Sequence, residues 1–97
     1  KIFSKGELQW EFDMDSELAK ENYRFEFIQL SGEAYKAIDD TLIIDKTVYC
    51  KMENLNDALL NEFFGKPITL KGRVLGYNNI SKKLRLDKCF ILQSPGT

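Results

Sequence analysis

The sequence predicts a mainly β chain: a five-stranded barrel with a helical lead-in and a helix between its third and fourth strands. Three observations predict it. Apolar and polar residues alternate with period two in segments beginning near Phe25, Thr47 and Ile68. Before Phe25, and again from Asn54 to Gly65, the apolar spacing is three to four, as on a helix face. The last segment, after an Asn-rich break, carries a phase slip of one residue, which a small closed sheet accommodates as a bulge.

Taken in order, Ser4 and Glu7 have the spacing of a capping box, with Leu8 and Phe12 one turn apart on the helix that follows. Asp15 is placed to cap a second helix bearing Leu18, Ala19, Asn22 and Tyr23, and the helices end by Arg24. In the first strand Ile28, Leu30, Gly32 and Ala34 share one face, and Gly32 marks a bulge or tight bend. Asp39-Asp40 is a turn, Thr41 to Ile44 a β-branched second strand, and Asp45-Lys46 a two-residue break. Val48, Cys50 and Met52 alternate with Tyr49 and Lys51 in the third strand. Asn54 or Asn56 caps the next helix, whose stripe is Leu55, Leu59, Leu60, Phe63 and Phe64, with Gly65 at its end. In the fourth strand Ile68, Leu70, Gly72 and Val74 face one way; Thr69, Lys71, Arg73 and Leu75 face the other. Tyr77 to Ser81 is a loop, and Leu84, Leu86, Cys89 and Ile91 form the last strand, slipping phase between Leu86 and Cys89.

Three strands, a helix and a closing hairpin are the order of an OB-type Greek-key barrel; an open α+β sheet is the competing fold. Residues 1–97 read as one domain, with a helical lead-in over 1–24 and the barrel over 25–92.

The segment from Gly65 to Tyr77, GKPITLKGRVLGY, resembles the fourth-strand signature of the tRNA-anti-like family of OB-fold domains. Leu86 to Ile91 resembles that family's closing strand. Glu7, Leu8, Phe12, Ala19 and Tyr23 resemble its helical lead-in, and Ile28 to Gly32 and Tyr49-Cys50 its first and third strands. Ala34 to Thr47 departs from the pattern. The resemblance implies an OB barrel and a bacterial, largely uncharacterised protein, often secreted or lipid-anchored. It implies no particular ligand.

Composition narrows function more than it identifies it. The chain contains no histidine, which removes Ser–His, Cys–His and His-based zinc chemistry, and two cysteines alone do not complete a tetrahedral thiolate site. No Walker or dinucleotide glycine pattern is present, so neither an enzyme nor a cofactor is expected. Asp13 with Asp15, and Asp39 with Asp40, read as cap and turn residues rather than a metal or acid–base site. Trp10, Phe12, Phe63 and Phe64 read as core. No apolar run is long enough to span a membrane. The first residue is Lys1 rather than Met, the start expected of a shortened or processed chain, so the lack of a signal pattern does not fix the compartment.

The net charge of −1 conceals an asymmetry. Up to Gly65 there are seven basic and fourteen acidic side chains, and beyond it seven basic and one acidic. The first part is thus −7 and the second +6. Outward phase places Lys71, Arg73, Lys83 and Arg85 on one surface of the final hairpin, with Lys82 and Tyr77 at its tip. Tyr77 and Tyr49 are the candidate stacking platforms. This points to a non-enzymatic module for single-stranded nucleic acid or another linear anion. The alternative is a structural or protein-interaction domain of a bacterial envelope protein. The envelope is slightly favoured over the cytoplasm. Cys50 and Cys89 fall on barrel neighbours and share an inward phase. They are a candidate disulfide in an oxidising compartment and otherwise two buried thiols.

Overall fold

The computed structural model describes residues 2–3, 6–53 and 64–93. The elements are β1 (Ile2–Phe3), α1 (Glu7–Met14), α2 (Ser16–Tyr23), β2 (Phe27–Ile38), β3 (Thr41–Ile44), β4 (Val48–Met52), β5 (Pro67–Tyr77) and β6 (Leu84–Gln93). The helix expected between β4 and β5 falls on residues 54–63, outside the described residues.

The helical lead-in forms, with one change at its start. Gly6, at φ 78°, is the residue before α1 and gives no side-chain cap, so Glu7 is the first helical residue rather than the third. The capping-box register therefore does not hold. Asp15 does cap α2: its Oδ1 accepts from the Leu18 N–H at 3.1 Å. Leu8 and Phe12 of α1, and Ala19 and Tyr23 of α2, are buried. The two residues of β1, not anticipated from the sequence, pair in parallel with β2, and the Phe3 ring meets Tyr23 edge-on at 5.2 Å.

β2 is long because it serves two partners. Phe27 to Glu33 pair antiparallel with β5, and Ala34 to Ile38 pair antiparallel with β3, with a bulge at Tyr35 within the second run. Ile28, Leu30, Gly32 and Ala34 are buried as their phase requires. Gly32 is needed for close approach rather than for the bulge: a Cβ there would come within 2.4 Å of Ile44 Cγ2. Between β3 and β4, Asp45 and Lys46 both take positive φ, the requirement of a type I′ hairpin turn, and the Thr47 N–H donates to the Ile44 carbonyl.

β4 pairs in parallel with β6, and β6 pairs antiparallel with β5, which returns to β2. The ring β2-β3-β4-β6-β5 is closed, a five-stranded barrel of the OB type. Its interior holds Ile28, Leu42, Leu70, Val74, Leu84 and Leu86 among others, all nearly inaccessible.

The phase slip in β6 is a bulge. Opposite β5, Arg73 pairs with Asp87 and Lys71 with Phe90; opposite β4, Cys50 pairs with Leu86 and Met52 with Cys89. One extra β6 residue is accommodated in each ladder, with Lys88 at φ 51°. The bulge turns Cys89 inward, into space that Gly72 leaves. A Cβ on Gly72 would lie 2.4 Å from Cys89 Sγ and 3.3 Å from the Asp87 carbonyl oxygen. Gly72→Ala is expected to destabilise the fold by about 1–3 kcal/mol through overpacking. Urea unfolding of Gly72→Ala, and of the same variant carrying Cys89→Ala, checks this: the second change should recover part of the loss.

Candidate nucleic-acid interface

β4 and β6 carry the strongest convergence of aromatic and cationic side chains picked from the sequence. Tyr49 points outward from β4, and its parallel partner in register is Arg85 of β6. Lys83 Nζ stands 4.9 Å from the centre of the Tyr49 ring, within cation–π range. Lys83, Arg85 and Lys51 are exposed, and Tyr49 is half-buried. On its other side Arg85 faces Gly76 of β5, where no side chain occupies the space. The turn leading into this strip is fixed locally: Asn78 Oδ1 accepts from the N–H groups of Ile80 and Ser81, and Lys82, exposed at φ 62°, donates its N–H to the Asn78 carbonyl. The Lys82 carbonyl in turn accepts from Gln9 Nε2 at 2.9 Å, so α1 braces the turn.

Lys71 and Arg73 also point outward but do not join that strip. Lys71 sits opposite Phe90 and Arg85 opposite Gly76, five residues apart on β6, roughly 16 Å at strand rise. Between them Arg73 is held by Asp87 through two bonds, Nε to Oδ1 at 2.9 Å and Nη2 to Oδ2 at 2.7 Å. This bidentate pair keeps the Asp87 carboxyl below the usual carboxylate range, chiefly through the hydrogen bonds from Arg73, with burial opposing. The four cations expected in one patch are therefore two groups, with Arg73 neutralised. The β6 bulge is the reason, because it presents Asp87 on the outer face.

Tyr77 is not a stacking platform. It is only 9% exposed, its ring packs 5.3 Å from that of Phe12, and its hydroxyl donates to the Asp13 carboxylate. Burial and the Asp13 bond push its pKa up to about 12. It ties α1 to the end of β5. Asp13, expected as a turn or cap residue, instead accepts from Tyr77 and from Gln9 Nε2. Trp10 departs from expectation in the opposite sense: it is 62% exposed. Its position two residues from both Leu8 and Phe12 puts it on the far side of the helix from them, a signal the sequence did contain. Phe12 is core, Phe64 is partly exposed, and Phe63 lies outside the described residues.

Cys50 and Cys89 are both buried and free, and close enough for a thiol–thiol hydrogen bond. That bond, together with burial, raises the Cys50 thiol well above its ordinary value. Among the described residues no group of acidic or thiol side chains is arranged to hold a metal ion. None of the described helices is long and apolar enough to cross a membrane.

No family model matches the chain, and no curated protein does. Among solved structures it is similar to one described as a "putative nucleic acid-binding lipoprotein" from Klebsiella pneumoniae subsp. pneumoniae MGH 78578. The TM-score is 0.68 at 14% identity, over 96% of this chain and 92% of that one. At that identity the likeness shows a shared OB-like fold.

The Tyr77 anchor has a pH signature. Its folded pKa lies above the ordinary tyrosine value, so the stability it contributes is complete below about pH 10 and is lost as pH rises toward about 12. Tyr77→Phe should cost about 1.5–3 kcal/mol at neutral pH, the range for a hydrogen bond to a charged group. It should also flatten the stability loss between those pH values. Urea midpoints measured from neutral to alkaline pH check both.

Proposed function

We propose that the chain is a non-enzymatic binding domain for single-stranded nucleic acid, acting within a bacterial envelope protein. The observation that carries this reading is the Tyr49–Lys83–Arg85 strip across the parallel β4–β6 pair. A half-buried ring offers a face for a base, and the neighbouring cations track the phosphates. The strip requires no sequence-specific donors, so recognition is of backbone and stacking. It joins no nucleophile to a base, and the reading includes no catalytic step.

Further support is comparative. The Klebsiella protein of like fold is named for nucleic-acid binding and as a lipoprotein. Membership of the tRNA-anti-like family, suggested by the residues of β5 and β6, belongs to the same proposal, as does location in the envelope. A second reading, a protein-interaction module, is favoured by a different surface. Phe25, Phe27 and Phe90 are exposed on the outer side of the β2–β5–β6 sheet, with Arg24 and Arg73 guanidinium groups 4.8 and 5.9 Å from the Phe25 ring.

Titration of a labelled single-stranded oligonucleotide separates the readings. With three phosphate contacts from Lys82, Lys83 and Arg85, affinity should fall about 20-fold between about 50 and about 200 mM salt. Tyr49→Ala should cost about 1–3 kcal/mol of binding. No binding at low salt, or binding indifferent to Tyr49, favours the interaction module.

A further inference from the structure

A second site borders the basic strip without sharing its residues, and its chemistry is different. Between α1, β2 and the β3–β4 turn the structure has a cavity of about 710 Å³, within the range of small-ligand sites. Its floor is apolar: Phe3, Leu8, Leu30 and Val48 all line it and are all buried. Two exposed aromatic side chains stand at its wall, Trp10 from α1 and Tyr35 from the bulge of β2. Neither is needed for the core, and each leaves a large apolar surface in water beside a cavity.

The polar lining decides the ligand class. Asp13, Glu33 and Asp45 contribute three carboxylates against one cation, Lys46. That balance repels phosphate and sulfate, so the cavity is not an extension of the nucleic-acid strip. The Tyr35 ring offers no open face to a cationic ligand, because Lys46 and Lys36 ammonium groups already lie 5.4 and 5.7 Å from its centre. What remains is a neutral ligand that both gives and accepts hydrogen bonds and has apolar faces of its own. The wall supplies the Thr47 hydroxyl, the Glu33 carboxylate and the second oxygens of Asp13 and Asp45, whose Oδ1 atoms are held within the fold, while the Ser31 hydroxyl is paired with Thr69. The Gln9 side chain is spent on the fold rather than on the cavity. The Gln9 amide donates from Nε2 to Asp13 and to the Lys82 carbonyl, while its Oε1 is buried without a hydrogen-bond partner.

We infer that this cavity binds a neutral saccharide, with the Trp10 indole packed against a sugar ring and the carboxylates and the Thr47 hydroxyl bonded to its hydroxyl groups. An aromatic face is electron-rich and attracts the C–H edge of a sugar ring, while ring hydroxyls match a wall of mixed donors and acceptors. The site is independent of the nucleic-acid reading, shares no residue with the strip, and stands or falls separately.

Trp10 is the single tryptophan of the chain, so its emission reports on this site alone. The intact chain is titrated with a panel of neutral hexasaccharides: cellohexaose, maltohexaose and the hexamer of N-acetylglucosamine. At least one should shift the emission saturably, with a Kd of about 1 mM or tighter and little dependence on salt. Calorimetry should show binding weakened about tenfold or more by Trp10→Ala and also weakened by Tyr35→Ala. Both residues are exposed, so circular dichroism should show both variants folded. Oligonucleotide affinity should not change in Trp10→Ala. The inference is overturned if no panel member shifts emission or gives heat at about 10 mM. It is equally overturned if the variants bind as well as the parent, or if the emission responds only to spermine or to an oligonucleotide.

Discussion

The structure depends on the parallel pairing of β4 with β6, because that contact closes the barrel. It requires β6 to keep its interior side chains inward along its length while staying in register with β4 on one side and β5 on the other. The bulge at Asp87-Lys88 meets that requirement. Lys88 takes a positive φ, Cys89 turns in over Gly72, and Asp87 turns out to hold Arg73. The same pairing places Tyr49 beside Arg85 and within reach of Lys83. Barrel closure and the candidate interface are thus one arrangement seen from inside and outside.

The lead-in helices divide the surface by charge. α1 is fixed to the barrel at two points, through Tyr77 to Asp13 and through Gln9 to the Lys82 carbonyl. Once docked, it braces the basic turn at one contact and presents Trp10 and Asp13 to the cavity at another. The opposite charges of the two parts of the sequence therefore do not simply cancel. They are set out as a cationic strip on β4–β6 and a carboxylate-lined cavity at α1.

Much of this was legible in the sequence where local pattern governs. Period two fixed the inward faces of β2, β4 and β5, and the slip between Leu86 and Cys89 announced the bulge. The Asp15 cap followed from spacing alone. What could not be read was non-local. Tyr77 looked like a loop aromatic because its burial depends on α1 docking more than sixty residues away in sequence. Arg73 looked free because its partner reaches the outer face only through the bulge. Trp10 was assigned to the core by residue type, although its helical phase opposed Leu8 and Phe12. The cavity had no sequence signature, since its walls come from β1, α1, β2 and the turn before β4.

The central claim is that the outer face of the β4–β6 pair is where this fold meets a single strand. Heteronuclear NMR of the labelled domain, titrated with a short single-stranded oligonucleotide at low salt, tests it most directly. The account predicts that amide shifts concentrate at Tyr49, Lys51 and Lys82 to Arg85, with Phe25, Phe27 and Phe90 unmoved. Shifts confined to the β2–β5 surface, or centred on Trp10 and the cavity, would contradict it.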